Sequence, residues 1–159
     1  MLLLGIDPGL SGALAGWNGT DLKVYEIPTV KSSGRGNEVN WPLLSEKWDE
    51  LFFWADHVYL ERVASRPGEG VSSAFKFGTV FGGLRAMAAD RRLPLTLVTP
   101  NVWKKHYGIQ ASKSGAVRRA SELFPAYASL FHGPKGGLRD GIAEAALIAR
   151  YGYEKEHQE

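Results

Sequence analysis

The sequence predicts an α/β domain built on a mixed five-stranded sheet flanked by helices, and three observations carry this prediction. The chain has 159 residues, enough to bury one sizeable core but too few for two large lobes. Short apolar runs of strand length alternate with longer segments of helical period. The pair Asn18-Gly19 separates two such runs and is a strong hairpin signal. We therefore expect three antiparallel strands first, followed by parallel strands that are joined through helices.

Each element follows from a local pattern. Apolar runs predict strands at 1–6, 13–17, 22–27, 57–61 and 93–98. A helix is expected from Pro42 through Phe52, and further helices at 71–91, 100–107, 112–124 and 140–152, with Ser112 as an N-cap. Segments 31–40 and 62–70, rich in Gly, Ser and charge, are expected to be loops. We expect residues 1–159 to form one domain.

Composition excludes several classes of protein. The chain has no cysteine, which excludes disulfides and thiolate chemistry. The N-terminal apolar run is interrupted by Gly5 and Asp7, and it is too short for a signal-peptide core or a membrane span. A cytoplasmic protein without a membrane partner is therefore expected.

The net charge of +2 conceals a basic stretch. Between Pro100 and Arg139 the sequence has seven Lys or Arg residues and one acidic residue, Glu122. Such an excess next to an acidic site favours a polyanionic partner that basic side chains hold. A solvated positive face is the alternative, because charge runs are common on soluble proteins.

Four acidic residues stand where apolar segments begin or end. Asp7 and Glu61 each close a strand-length run, while Asp140 and Glu144 are spaced i, i+4 in a segment that favours helix. Two strand ends and one helix face could bring these carboxylates together. Hard oxygen ligands favour Mg²⁺ or Mn²⁺ over zinc or copper, and acids that lie this close need a cation because they repel one another.

Three acidic motifs together resemble those of RuvC-type Holliday junction resolvases, including their short phage-encoded members. These motifs are Gly5-Ile6-Asp7-Pro8-Gly9-Leu10-Ser11-Gly12, Tyr59-Leu60-Glu61-Arg62-Val63 and Asp140-Gly141-Ile142-Ala143-Glu144-Ala145. The segments 72–78, 99–105 and 112–114 are also similar to parts of that family. The match covers nearly the whole chain.

The resemblance implies a ribonuclease H-like fold, a homodimer, and Mg²⁺-dependent paired nicking of four-way DNA junctions that leaves 5′-phosphate and 3′-hydroxyl ends. Asp7 would bridge two Mg²⁺ ions, for which Mn²⁺ could substitute, Glu61 would bind one, and Asp140 and Glu144 would complete the catalytic cluster. The cellular family typically has two aspartates three residues apart in place of Asp140 and Glu144, so Glu144 is the more secure match.

The DNA-binding residues expected on this basis are all basic: Arg66, Lys76, Lys104, Lys105, Lys113, Arg118 and Arg119. Of the adjacent pair Arg118 and Arg119, one is expected to be only solvated, since neighbouring helix positions point about 100° apart. The aromatic residues Phe75, Phe77 and Phe81 could stack on bases, but helical spacing favours a place in the core.

Three other functions are considered. A related nuclease that cuts flaps, forks or RNA would keep all four acids. A non-catalytic junction binder is disfavoured, because carboxylates facing DNA weaken binding. An ATPase of the sugar-kinase and actin type is excluded by the length of the chain, since it needs two large lobes.

Overall fold

In the part of the chain that the structure describes, seven strands and five α-helices make up the fold. The computed structural model describes residues 1–110 and 112–158, apart from the side chain at position 113. The strands are β1 (Leu3–Asp7), β2 (Ala13–Trp17), β3 (Leu22–Glu26), β4 (Thr29–Lys31), β5 (Asn37–Val39), β6 (His57–Glu61) and β7 (Leu95–Val98). The helices are α1 (Trp41–Phe52), α2 (Val71–Asp90), α3 (Pro100–His106), α4 (Lys113–Leu123), a 3₁₀ helix (Pro125–Phe131) and α5 (Asp140–Glu156).

Five of the strands form the mixed sheet that the sequence predicts. Their order is β3-β2-β1-β6-β7. The pairs β1–β2 and β2–β3 are antiparallel, whereas β6 runs parallel to β1 and β7 runs parallel to β6. Ile6 pairs with Leu60 in this register, so the next residues, Asp7 and Glu61, end neighbouring strands at the same edge of the sheet.

The two faces of the sheet bury separate clusters, as the two-residue period of a strand requires. Leu3 and Tyr59 face the cluster that contains α5, α4 and Trp103. Leu4 and Leu60 face the other cluster, which contains α1 and the buried residues of α2. Asp7 and Glu61 continue the first alternation and therefore point toward α5.

Gly5 permits the close approach of α5 to the centre of the sheet. A Cβ atom built on Gly5 would lie 2.2 Å from the backbone nitrogen of Ala149 and 2.4 Å from the carbonyl oxygen of Ala145. At the start of α5, Gly141 has the same role, since a Cβ there would lie 2.1 Å from the carbonyl oxygen of Ser11. The helix backbone thus rests directly on β1 and on the turn that follows it.

The sequence predictions are correct for most elements and wrong for some details. A loop was expected at 31–40, but β4 and β5 form a separate two-stranded hairpin that overlaps this segment. The hairpin escapes prediction because its strands are three residues long and mostly exposed. The 3₁₀ helix was not predicted, and α5 continues four residues beyond Gly152. Ser112 caps α4 as expected, with its Oγ accepting a hydrogen bond from the Gly115 N–H at 3.1 Å.

The aromatic residues of α2 are less buried than helical spacing predicts. Phe81 packs partly against the core, but Phe75 is 76% exposed and Phe77 is 40% exposed. A core role is therefore wrong for Phe75 and Phe77. The first two turns of α2 extend beyond the sheet, so spacing alone could not show which of these rings would be covered. Among the described residues, no helix combines the length and the hydropathy needed to cross a membrane.

Candidate metal centre

Three of the predicted acids meet at the edge of the sheet. Asp7 at the end of β1, Glu61 at the end of β6 and Glu144 in the second turn of α5 each offer a carboxylate oxygen, and these oxygens lie within 4.8 Å of one another. All three side chains are partly buried. Three hard oxygen donors at this separation suit Mg²⁺ or Mn²⁺.

The convergence follows from the fold. Alternation along β1 and β6 turns Asp7 and Glu61 to the α5 side of the sheet. The contact at Gly5 then brings the α5 backbone onto β1, so Glu144 reaches the ends of both strands. Gly12 closes the turn after β1 in the same way, because a Cβ there would lie 1.9 Å from the carbonyl oxygen of Asp7. Small residues at these contacts thus determine where the acids sit.

The electrostatics of the cluster show an excess of negative charge. Burial raises the pKa of Asp7 well above its ordinary value, and the charges of Glu144, Glu61 and Asp140 raise it further. Burial also raises the pKa of Glu61, opposed by a hydrogen bond from the Trp103 indole. Burial is the main cause of both shifts, because it disfavours the ionised form of a carboxyl group. Three hard oxygen donors in this setting fit a metal ion, whose positive charge would favour the ionised carboxylates.

Asp140 lies beside the three-residue group rather than within it. It is the first residue of α5, where a carboxylate also interacts favourably with the helix dipole. With Asp7, it lines a cleft of about 300 Å³ that also includes Ser11, Lys76 and Phe77. Asp140 and Glu144 share a helix with the i, i+4 spacing that the sequence predicts, but only Glu144 belongs to the tight carboxylate group.

Helix α3 supplies two further contacts to the acids. Lys104 Nζ lies 3.1 Å from Glu144 Oε1, and Trp103 Nε1 donates a hydrogen bond to Glu61 Oε2 at 2.8 Å. Lys104 was expected to bind DNA, and Trp103 was not among the predicted site residues. The sequence feature that could have indicated Trp103 is its position in a short helix, α3, directly after strand β7. One turn of α3 brings Trp103 beside the end of the neighbouring strand, β6.

The remaining predicted DNA-binding residues have different surroundings. Lys105 and Arg118 are exposed, whereas Arg119 is partly buried and pairs with Glu122 at 2.9 Å. Lys76 lines the cleft and donates a hydrogen bond to the Arg35 carbonyl oxygen at 3.1 Å. Arg66 is exposed in the segment after β6, and its charge lowers the pKa of Glu61. The side chain of Lys113 lies outside the described residues.

The class of fold is identified by comparison with solved structures. Thermus thermophilus RuvC in complex with a Holliday junction substrate matches with a TM-score of 0.64 at 17% sequence identity, over 99% of this chain and 96% of that chain. Thermus thermophilus RuvC alone matches with a TM-score of 0.61 at 18% identity, over 98% and 97% of the two chains. No protein-family model matches the sequence, and no curated protein sequence matches it significantly.

A eukaryotic structure has the same arrangement. Ydc2, the yeast mitochondrial Holliday junction resolvase, matches with a TM-score of 0.60 at 19% identity, over 98% of this chain and 80% of that chain. The mixed sheet with its flanking helices is therefore the ribonuclease H-like fold of RuvC. The resemblance stated from the three acidic motifs is confirmed at the level of the fold.

Proposed function

We propose that this protein is a structure-selective DNA endonuclease that resolves four-way junctions by paired nicks. The observation that carries the proposal is the meeting of Asp7, Glu61 and Glu144 at one edge of a RuvC-like sheet. The basic stretch between Pro100 and Arg139 supports a polyanionic substrate at that edge. A purely structural role would not explain why three carboxylates are brought together against their mutual repulsion.

Asp7, Glu61 and Glu144 would hold divalent cations, with Asp140 at the border of the site. When bound, Mg²⁺ or Mn²⁺ at such a cluster activates a water nucleophile and neutralises charge on the leaving 3′-oxygen, which gives 5′-phosphate and 3′-hydroxyl ends. The chain's own contribution is to hold the carboxylates in place through β1, β6 and α5. Lys104, 3.1 Å from Glu144, provides a positive charge where a scissile phosphate would enter.

Lys76, Lys105, Arg118 and Arg66 would bind the DNA backbone around the site. Lys76 and Arg66 lie on the α2 side of the cluster, while Lys105 and Arg118 belong to the helices that follow β7. Phosphate contacts from both sides would orient a junction arm over the carboxylates without reading its sequence. Arg119 would contribute less, because its guanidinium pairs with Glu122.

Two copies of the chain would pair through α2, so that each presents one site to one strand. Val71, Phe75, Gly78 and Gly82 follow one face of the helix with i, i+4, i+7 and i+11 spacing. Val71 and Phe75 are exposed, and a Cβ on either glycine would meet open space. Gly83, by contrast, packs on Trp41 within the chain. An exposed apolar face with small residues suits a self-complementary helix contact.

The test of the function is cleavage of a labelled immobile four-way junction and of a matched linear duplex, with Mg²⁺ or EDTA. We expect Mg²⁺-dependent symmetrical nicks in the junction alone. Asp7→Asn and Glu61→Gln should lower the cutting rate by at least about 10³-fold while junction binding persists. Glu46→Gln, an exposed change on α1, is the matched control and should cut normally.

Other outcomes would redirect the proposal. Cutting of flaps, forks or RNA hybrids but not junctions would assign the protein to the related nucleases. Tight junction binding without cutting under either Mg²⁺ or Mn²⁺ would favour a non-catalytic binder.

A sedimentation experiment tests the proposed pairing of two chains through α2. Phe75→Glu should convert a dimer into a monomer. A wild-type chain that is monomeric on junction DNA would contradict the proposed assembly.

A further inference from the structure

Trp103 is a fully buried side chain whose one polar atom points at the metal centre. Its exposed fraction is 0%, and its indole N–H donates to Glu61 Oε2 at 2.8 Å. A hydrogen bond from a neutral donor to a partly buried carboxylate is charge-assisted and stronger than a hydrogen bond between two neutral groups. The contact joins the hydrophobic core to one of the three acids.

The fold fixes the indole in this position. Glu61 pairs with Val98 at the end of β7, and the Arg62 N–H donates to the Val98 carbonyl oxygen at 2.8 Å. Pro100 starts α3 two residues later, so Trp103 follows about one turn from the end of the strand next to Glu61. The ring is packed in the same buried cluster as Val98, Tyr59 and the alanines of α5. Neither the ring nor its N–H has room to reorient within that packing.

The Glu61 side chain is flexible enough to need such a constraint. A Glu side chain has three rotatable bonds, and repulsion from Asp7 and Glu144 favours rotamers that turn the Glu61 carboxylate out of the cluster. A donor fixed by the core holds one oxygen, Oε2, and thereby sets the orientation of the whole carboxylate. Hydrogen-bond partners of ligating carboxylates are typically important for metal affinity in this way.

We propose that Trp103 is a positioning residue that holds Glu61 in the orientation needed to bind a divalent cation. The inference rests on the proposed function, since it concerns the same carboxylate cluster. The inference adds Trp103, a residue of the hydrophobic core, to the three acids as a determinant of cation affinity. The alternative is that Trp103 only fills space between α3, α5 and the sheet.

Trp48 provides a matched control within the same chain. It is also a core tryptophan, 1% exposed, but it lies on the other face of the sheet. Among the described residues, its indole Nε1 has no hydrogen-bond partner. Replacing either tryptophan by phenylalanine removes an indole N–H and a similar volume from the core. Only the change at position 103 removes a hydrogen bond to the metal centre.

The experiment compares wild type, Trp103→Phe and Trp48→Phe by Mn²⁺ calorimetry and by single-turnover junction cleavage, after urea unfolding has shown that each is folded. We expect Trp103→Phe to weaken Mn²⁺ affinity about tenfold or more. Its cleavage rate at saturating junction should fall while junction affinity stays within twofold of wild type. Trp48→Phe should bind Mn²⁺ within twofold of wild type. Equal Mn²⁺ affinities for the two variants would overturn the proposal.

A second measurement does not depend on the folding of the variant. In ¹⁵N-labelled wild type, Mg²⁺ titration should shift the indole N–H signal of Trp103 and leave that of Trp48 in place. An unmoved Trp103 signal at saturating Mg²⁺ would contradict the proposal.

The nuclease function and the positioning role of Trp103 can be refuted separately. Mn²⁺ binding without any DNA cleavage refutes the nuclease and leaves the role of Trp103 intact. A wild-type chain that binds no Mn²⁺ refutes both.

Discussion

Helices α5 and α2 cover opposite faces of the same sheet, yet they are packed very differently. Nearly every residue from Gly141 to Gly152 of α5 is buried, with Ala and Gly allowing its backbone to touch β1. In α2 only Val80, Leu84 and Ala88 are buried, and the first two turns are largely exposed. The closely packed helix α5 carries Glu144, whereas α2 presents an exposed apolar face that contains Val71 and Phe75.

The difference between the two helices matches two requirements of the proposed function. Carboxylates that repel one another stay together only where the backbone cannot yield, and the contact of α5 with Gly5 provides that stiffness. The proposed contact with a second chain would need the opposite, an apolar surface that the chain itself leaves uncovered. The four predictions below test this contrast.

The largest effect is expected from Gly5→Ala. The new methyl carbon would lie 2.2 Å from the Ala149 backbone nitrogen, so α5 or β1 must move. We expect a loss of about 3 kcal/mol or more in the free energy of unfolding, measured by urea denaturation. Displacement of α5 should also weaken Mn²⁺ binding, because Glu144 moves with the helix.

Gly78→Ala is the control for that substitution. A methyl group there meets open space on the exposed face of α2, and alanine favours the helix over glycine. Stability should rise by up to about 1 kcal/mol. If both glycine variants lose stability equally, the two helices are not packed as differently as described.

The second prediction concerns the negative charge of Asp7, which lies on the α5 side of the sheet. The pKa of Asp7 is raised in the folded chain, so the native state binds a proton more tightly than the unfolded state does. Without metal, stability should therefore fall as the pH rises from about 4 through the raised pKa. Asp7→Asn removes this charge and should stabilise the metal-free protein at pH 7, because a neutral amide replaces a buried carboxylate that Glu144 and Glu61 repel.

Urea unfolding in EDTA between pH 5 and pH 8 measures this effect. The slope of stability against pH should be smaller in Asp7→Asn than in wild type. Saturating Mg²⁺ should reverse the order, since only wild type gains stability from the cation. A variant that is less stable than wild type in EDTA would show that Asp7 makes a favourable contact in the metal-free chain.

The third prediction compares two adjacent basic residues of α4. Arg118 is exposed on α4, which packs against α5, and Arg119 beside it pairs with Glu122. Arg118→Ala should weaken junction binding by about 1 kcal/mol and lower the slope of log affinity against log salt by about 1. Arg119→Ala should change both quantities less. Equal losses would show that the Glu122 pair opens when DNA binds.

The smallest effect is expected at Phe75. Its ring is 76% exposed, so Phe75→Ala should change the stability of the monomer by less than about 0.5 kcal/mol at submicromolar protein concentration. Leu84→Ala, on the buried side of the same helix, should cost about 2–5 kcal/mol. A loss above 2 kcal/mol at Phe75 in the monomer would mean that this face is covered within the chain.

The sequence by itself determined the five-stranded mixed sheet, the position of nearly every helix and four candidate acids, three of which meet in the structure. These features depend on local signals: the Asn18-Gly19 turn, the apolar runs that end at Asp7 and Glu61, and the i, i+4 spacing of Asp140 and Glu144. Each of these signals involves only a few neighbouring residues, so it can be recognised in the sequence without knowledge of the tertiary structure. The roles of the acids and of the basic residues in catalysis and DNA binding stay predictions.

The tertiary structure alone decided which side chains near the site touch one another. Lys104 reaches Glu144 and Trp103 reaches Glu61 across about 40 residues of sequence, and no local pattern encodes those contacts. It also decided that Phe75 is exposed whereas Leu84 on the same helix is buried. Periodicity defines the faces of a helix, but the length of helix that the sheet covers depends on how distant segments pack, which is a property of the whole fold.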